Sequence, residues 1–200
     1  MYQRKDAFYT RAKTAGYRSR AAFKLLELAR RNRVFRHGDH VVDLGAWPGG
    51  WLQVASELVG TAGIVVGVDL QPIDPLPNRN VVTLVGDITS SAVQTQILQA
   101  CQGRVDVVLS DLAPKLSGVR ARDQEQVRVL AESATAFAHE VLKARGKLVM
   151  KVFMSDDLRQ LLDRLREGFA SVRTTRPEAT RKGSAEIYVI ASDHTRSAAV

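Results

Sequence analysis

From residue 41 onward the chain alternates two hydrophobic periodicities, and no other feature limits its fold as strongly. VVDLG (41–45), IVVGVDL (64–70), VVTLVGDI (81–88), VDVVLSDLAP (105–114), GKLVMKVF (146–153), SVRTT (171–175) and AEIYVIAS (185–192) are rich in β-branched residues and read as strands. Between most of them lie runs at helical spacing: WLQVASELV, with Trp51, Val54, Ala55 and Leu58 on one side, and the stretches 92–100, 124–142 and 156–167. This rhythm predicts an α/β domain, with a mostly parallel sheet covered by helices on both faces. Two hundred residues, 45% of them hydrophobic, suffice for one such core and are too few for two ordinary domains.

In an open α/β sheet, ligands bind beyond the carboxyl ends of the strands, where the strand order reverses. Asp43, Asp69, Asp87 and Asp111 close four successive strands. One strand-end Asp usually caps a turn, but four with the same placement point to a ligand. The first turn, Gly45-Ala46-Trp47-Pro48-Gly49-Gly50-Trp51, is Gly-rich and opens a helix, so its N–H groups suit a carboxylate or a phosphate. It is not GxGxxG, and no GKS or GKT follows, which disfavours a dinucleotide fold or a P-loop. Asp69 nonetheless stands about 20 residues beyond the turn, where a ribose-binding acid belongs. A ligand with an adenosyl ribose, an ammonium, a carboxylate and a sulfonium, but no pyrophosphate, fits better, and S-adenosylmethionine is that ligand. Asp69 would then serve the ribose hydroxyls, Asp87 the adenine edge, Gly49 and Trp51 the methionine end, and Asp111 the sulfonium and amine. For Trp51, helix packing is an equally good account.

Charge divides the chain unevenly. Residues 1–36 hold 11 Lys and Arg against two acids, and the other 164 residues hold 18 against 19, so the whole excess of +8 comes from one end. Phe8, Tyr9, Tyr17 and Phe23 are interleaved with Arg11, Lys13, Arg18, Arg20 and Lys24, a texture suited to unpaired bases and phosphates. A solvated tail is the plainer reading of the charge alone. The expected organisation is a basic arm over 1–36, a catalytic core over 37–193 and a flexible tail over 194–200. Within the arm a helix is predicted from an N-cap at Ser19 to about Arg33, with Ala22, Leu25, Leu26 and Ala29 buried and Arg20, Lys24, Glu27 and Arg31 on a polar face. No apolar run reaches the ~20 residues of a membrane span, and the N-terminus lacks the apolar stretch of a secretory signal. The single Cys101 forms no internal disulfide, and His37 and His40 flank a turn with no further metal ligands nearby. A soluble cytoplasmic monomer without metal is expected.

Two charged residues sit oddly in apolar strands: Lys151 in LVMKVF and Glu186 at the start of AEIYVIAS. A strand-end lysine that snorkels and a solvated edge glutamate are the commoner explanations. With Asp111 on a neighbouring strand end and Lys24 on the arm helix, however, the four could converge on one cleft. Methyl transfer to an alcohol needs in-line placement of the oxygen and help with its proton, and a lysine can supply either.

GYRSRAAFKL (16–25), VVDLGAWPGGW (41–51), VDL (68–70), GDI (86–88), SDLAP (110–114), MKVF (150–153) and SAEIYVIA (184–191) together resemble the FtsJ/RrmJ family of ribosomal RNA large-subunit ribose 2′-O-methyltransferases. The resemblance covers nearly the whole chain in the right order. It implies a class I S-adenosylmethionine-dependent methyltransferase (Rossmann-like) fold with seven strands, the last antiparallel. It implies a catalytic tetrad of Lys24, Asp111, Lys151 and Glu186, with Lys151 central, and cofactor contacts from Gly49, Trp51, Asp69, Asp87 and Asp111. The partner implied is ribosomal RNA of the large subunit, and the target a uridine in the A loop of the assembled subunit. Two positions depart from the pattern: Trp47 replaces a small residue in the turn, and Lys115 stands where Asn is usual. The competing readings are a non-catalytic RNA-binding assembly factor, a nicotinamide-dependent oxidoreductase and, more weakly, a metal hydrolase.

Overall fold

Seven strands form where the β-branched runs lie: β1 (His40–Leu44), β2 (Ile64–Asp69), β3 (Val81–Val85), β4 (Val105–Ser110), β5 (Leu142–Phe153), β6 (Phe169–Thr175) and β7 (Glu186–His194). Six helices accompany them: α1 (Ala7–Thr14), α2 (Ala21–Asn32), α3 (Gly50–Val59), α4 (Ser91–Ala100), α5 (Arg120–Val141) and α6 (Leu158–Gly168). These elements come from a computed structural model that describes residues 7–114, 117–155, 157–181 and 183–195. Lys115, the first six residues of the arm and residues 196–200 of the expected tail lie outside them.

The sheet runs β3-β2-β1-β4-β5-β7-β6. Strands β1 to β5 run parallel to one another, and β7 is antiparallel to both β5 and β6. After β1 the chain builds outward through β2 and β3, then returns to lay β4 on the other side of β1. The strand order therefore reverses between β1 and β4, which is where an open sheet of this kind leaves a crevice.

Strand pleating divides the core in two. Val42, Leu44, Val66, Val68, Leu148 and Met150 face α4, α5 and α6, packing with Ile97, Phe137 and Leu165. Val41, Val65, Val107, Leu109, Val149, Tyr188 and Ile190 face α2 and α3, packing with Leu25, Leu28, Trp51, Leu52 and Val54. Gly67 in β2 lets α3 lie close, because a Cβ there would stand 2.6 Å from Leu52 Cδ1.

The arm differs from its sequence reading in three ways. Helix α1 was not foreseen. Helix α2 starts at Ala21 rather than behind a Ser19 cap, with Arg20 at the N-cap position and no side-chain cap bond. Lys24, expected on the polar face, lies on the buried one beside Leu25 and Leu28, while Leu26 is only half-buried. At the other end β7 continues past the expected Ser192 to His194, whose buried ring packs on Phe169 and His139, so His194 belongs to the sheet and not to a tail.

Since α2 is anchored by fully enclosed side chains, Leu25→Ala is expected to cost about 2–5 kcal/mol in chemical denaturation. Arg30→Ala, on the exposed side of the same helix, should stay within about 0.5 kcal/mol.

Candidate active site

Alternation along each strand decides which charged groups meet. Lys151 shares the parity of Val149, Glu186 that of Tyr188 and Ile190, and Asp111 that of Val107 and Leu109, so all three continue stripes that face α2 and α3. Helix α2 completes the set from above with Lys24.

The four side chains form two ion pairs. Lys24 Nζ lies 2.5 Å from Glu186 Oε1, and Lys151 Nζ lies 2.7 Å from Asp111 Oδ1. Lys151 also donates to the Asp111 carbonyl at 2.8 Å, so one residue engages the amine twice. The side chains are 11% and 14% exposed in the first pair and 8% and 23% in the second. Tyr188, directly opposite Lys151 in the β5–β7 register, lies beneath them, with Lys24 Nζ 5.8 Å from its ring centroid. The pairs feel each other: burial raises the Asp111 carboxyl above its ordinary range, Lys151 and Lys24 pull it back, and Glu186 pushes it further up. Burial, together with the Asp111 and Glu186 carboxylates, also drives the Tyr188 phenol far above its usual value.

The expected cofactor residues stand at or just beyond the carboxyl ends of β1, β2, β3 and β4, with differences in detail. Asp69 ends β2, and its carboxylate accepts the N–H groups of Trp47 at 3.0 Å and Gln71 at 2.9 Å, tying the Gly-rich turn to the loop that follows. Gly49 holds φ at 106° as the residue before α3, a conformation in which a side chain is strained. Gly45, at φ 77°, lies so near Leu112 that a Cβ would come within 2.9 Å of it. Asp87 lies two residues past the end of β3 rather than closing it, and its exposed carboxylate takes the Thr89 N–H at 2.9 Å and hydroxyl at 2.8 Å. Trp51 resolves toward packing: the ring is buried against Tyr188 at 6.0 Å, and its Nε1 donates to the Ala21 carbonyl at 2.9 Å. What Trp51 still presents at the helix start is its backbone N–H. Trp47 points outward, 52% exposed, rather than filling the turn.

Two groups near these tips went unweighed in the sequence reading. Tyr188 could have been found, because it stands two residues from Glu186 on one strand. Arg18 could not, since nothing in its local pattern sets it apart from the other cations of the arm. Asp43, noted only as a strand-end acid, is wholly enclosed, and neither of its oxygens has a hydrogen-bond partner among the described residues. Burial and the neighbouring Asp111 and Asp69 charges raise its carboxyl well above the ordinary value of 3.8, against the opposing pull of Lys151. The tips of β2 and β4 thus hold two acids within electrostatic reach of Asp43 on β1. Among the described residues no cluster of His, Cys, Asp and Glu could hold a metal ion, and no helix is long and apolar enough to cross a membrane.

A carboxyl with a raised folded-state value binds its proton more tightly folded than unfolded. Its contribution to stability is full below the unfolded value and is lost as pH rises toward and through the folded one. Asp43→Asn is therefore expected to gain stability relative to the parent chain as pH rises from about 4 to about 7. Thermal unfolding of both chains across that range checks this, and parallel curves would contradict it.

Known proteins resemble this chain in sequence and in fold. The family described as FtsJ-like methyltransferase matches residues 17–194. Ribosomal RNA large subunit methyltransferase E of Methanoculleus marisnigri is 50% identical over 189 residues, covering 94% of this chain and 91% of that protein. The protein of the same name from Alkalilimnicola ehrlichii is 48% identical over 187 residues, covering 93% and 88%. A solved structure described as a ribosomal RNA methyltransferase from Plasmodium falciparum superposes with a TM-score of 0.79 at 28% identity, over 89% of this chain and 98% of that one. With a family match across most of its length and half its residues shared with a relative of the same extent, the chain belongs to the FtsJ-like methyltransferases.

Proposed function

We propose that this protein transfers a methyl group from S-adenosylmethionine to a ribose 2′-hydroxyl of large-subunit ribosomal RNA, at a uridine in the A loop of the assembled subunit, in the cytoplasm. The observation that carries the reading is the pairing of Lys151 with Asp111 beside Lys24 and Glu186, at the carboxyl end of the sheet next to the Gly-rich turn. The relatives named as ribosomal RNA large subunit methyltransferases support the choice of substrate.

The residues at the strand tips suit the donor. Asp69 and Asp111 place negative charge where a sulfonium and an ammonium would lie, and a cation arriving there would draw the buried Asp43, whose oxygens have no hydrogen-bond partner among the described residues, toward its charged form. Asp69 offers remaining lone pairs to ribose hydroxyls, and the exposed Leu70 next to it offers an apolar surface to a base. The first-turn N–H groups of α3, Trp51 among them, suit a carboxylate. When bound, S-adenosylmethionine supplies an electrophilic methyl group on a positively charged sulfur.

The chain's own part is to place and deprotonate the attacking oxygen. Asp111 engages Lys151 through its carboxylate and its carbonyl, which leaves one position on the amine for the ribose hydroxyl. Lys151 enters the step as the free amine, its ammonium proton given up to solvent. Its lone pair takes the hydroxyl proton while the bond from ribose oxygen to methyl carbon forms and the carbon–sulfur bond would break, leaving a neutral thioether, and Asp111 holds the ammonium that results. Glu186 balances Lys24, so that Lys24 presents a fixed cation to the RNA without an unpaired buried charge. The basic arm adds phosphate contacts from α1 and α2.

Labelled S-adenosylmethionine, offered with large subunits and with naked ribosomal RNA, tests the reading. Label at one nucleotide whose backbone resists alkaline cleavage is expected, and label on a base, or none, would refute it. Lys151→Ala should lower turnover about 10²–10⁴-fold with cosubstrate affinity nearly unchanged, and unimpaired turnover would remove this lysine from the chemistry. Lys13→Gln, on the exposed side of α1, should weaken RNA binding and make the slope of log affinity against log salt shallower by about 0.7–0.9.

A further inference from the structure

Arg18 belongs to neither helix of the arm. It sits in the connection between α1 and α2, yet its guanidinium reaches two loops of the core. Nη1 donates to the carbonyls of Pro48 at 3.3 Å and Asp74 at 2.5 Å, and Nη2 donates to the carbonyl of Pro75 at 2.6 Å. Pro48 is in the Gly-rich turn after β1, and Asp74 and Pro75 are in the loop after β2. These are the two walls beside Asp69.

The second wall is poorly placed to hold itself: it carries Pro72, Pro75 and Pro77, none of which has an N–H to donate, so its carbonyls need donors from elsewhere. A guanidinium is the side chain that can serve three acceptors on two segments at once, because its donors form a rigid fork. The approach is close: a Cβ on Gly49 would stand 3.2 Å from Arg18 Nη1 and 3.3 Å from its Cδ. Glycine at 49 thus leaves room for Arg18 as well as adopting a positive φ.

The strap that carries Arg18 is itself seated on α3. Gln53 Oε1 accepts the Arg18 N–H at 2.8 Å, Gln53 Nε2 donates to the Gly16 carbonyl at 2.9 Å, and the Tyr17 hydroxyl donates to Glu57 at 2.8 Å. The backbone of residues 16–18 is therefore fixed without help from the guanidinium, which is free to act on the two walls.

We infer that Arg18 is a positioning residue for the methyl donor: it sets the separation of the Gly-rich turn and the proline loop, and so the affinity for S-adenosylmethionine. The inference rests on the donor reading proposed above. It assigns to the arm a task on the donor side of the reaction, besides its contacts with RNA.

The test uses the full chain with Arg18→Lys, which keeps the charge but concentrates its donors at one point, and Arg18→Met, which keeps the stem alone. Binding of S-adenosylmethionine without RNA, steady-state kinetics in both substrates and apo melting temperature are measured. Both variants should raise the dissociation constant and the KM for S-adenosylmethionine about tenfold, with kcat within about twofold of the parent and the melting temperature close to it. Arg18→Lys binding the donor as the parent does would overturn the inference. So would a loss of donor binding matched by a collapse of melting temperature and of RNA binding, since the residue would then hold the fold and not the pocket. A parent chain that fails to bind S-adenosylmethionine would instead remove the donor reading itself.

Discussion

The pleat of one sheet face is the constraint on which the site depends. Successive side chains of a strand point to opposite faces, so a charged residue placed in step with the apolar residues facing α2 and α3 lands on their side. Asp43, Asp69, Asp111, Lys151 and Glu186 all keep that step with Val41, Val65, Leu109, Val149 and Tyr188. A one-residue slip in any of these strands would turn its charged group toward α4, α5 and α6, into an apolar layer with no partner for it. Positions that build the core therefore also aim the polar groups.

Low exposure then fixes the pairing. Each lysine of the site is almost enclosed and has a carboxylate at hydrogen-bonding distance, the condition under which a buried charge is tolerated. Such a pair adds little net stability over an apolar pair of the same volume, but removing one member strands the other. Asp43 is the contrasting case. Without a hydrogen-bond partner among the described residues, it avoids the same penalty by favouring its neutral form, and that leaves its region of the site receptive to positive charge.

Much of this was legible in the sequence, because it rests on periodicity. The seven strands, the order of the acids along them and the two strand-borne members of the ion pairs, Lys151 and Glu186, follow from alternation and from charges that interrupt it. Features set by distant contacts were hidden. Lys24 reads as one cation on a polar helical face, and only the docking of α2 on the sheet turns it inward. Trp51 reads equally as ligand contact or packing until the Ala21 carbonyl is found within reach of its indole. Ser19 resembles an N-cap, yet the helix begins two residues later, and Asp87 lies beyond a strand whose end its pattern did not mark. Arg18 carries no local signal at all, because its partners lie 30 to 57 residues away.

Strand order also governs when the site can exist. Glu186 opens β7, the last in chain order of the seven described strands, which inserts between β5 and β6, and its partner Lys24 is 162 residues earlier in the chain. A polypeptide still emerging from the ribosome can fold much of its sheet while the Lys24–Glu186 pair is missing, since contacts between such distant positions are the slowest to close. Competence is thereby reserved until β7 has left the ribosome, long after the helix that carries Lys24.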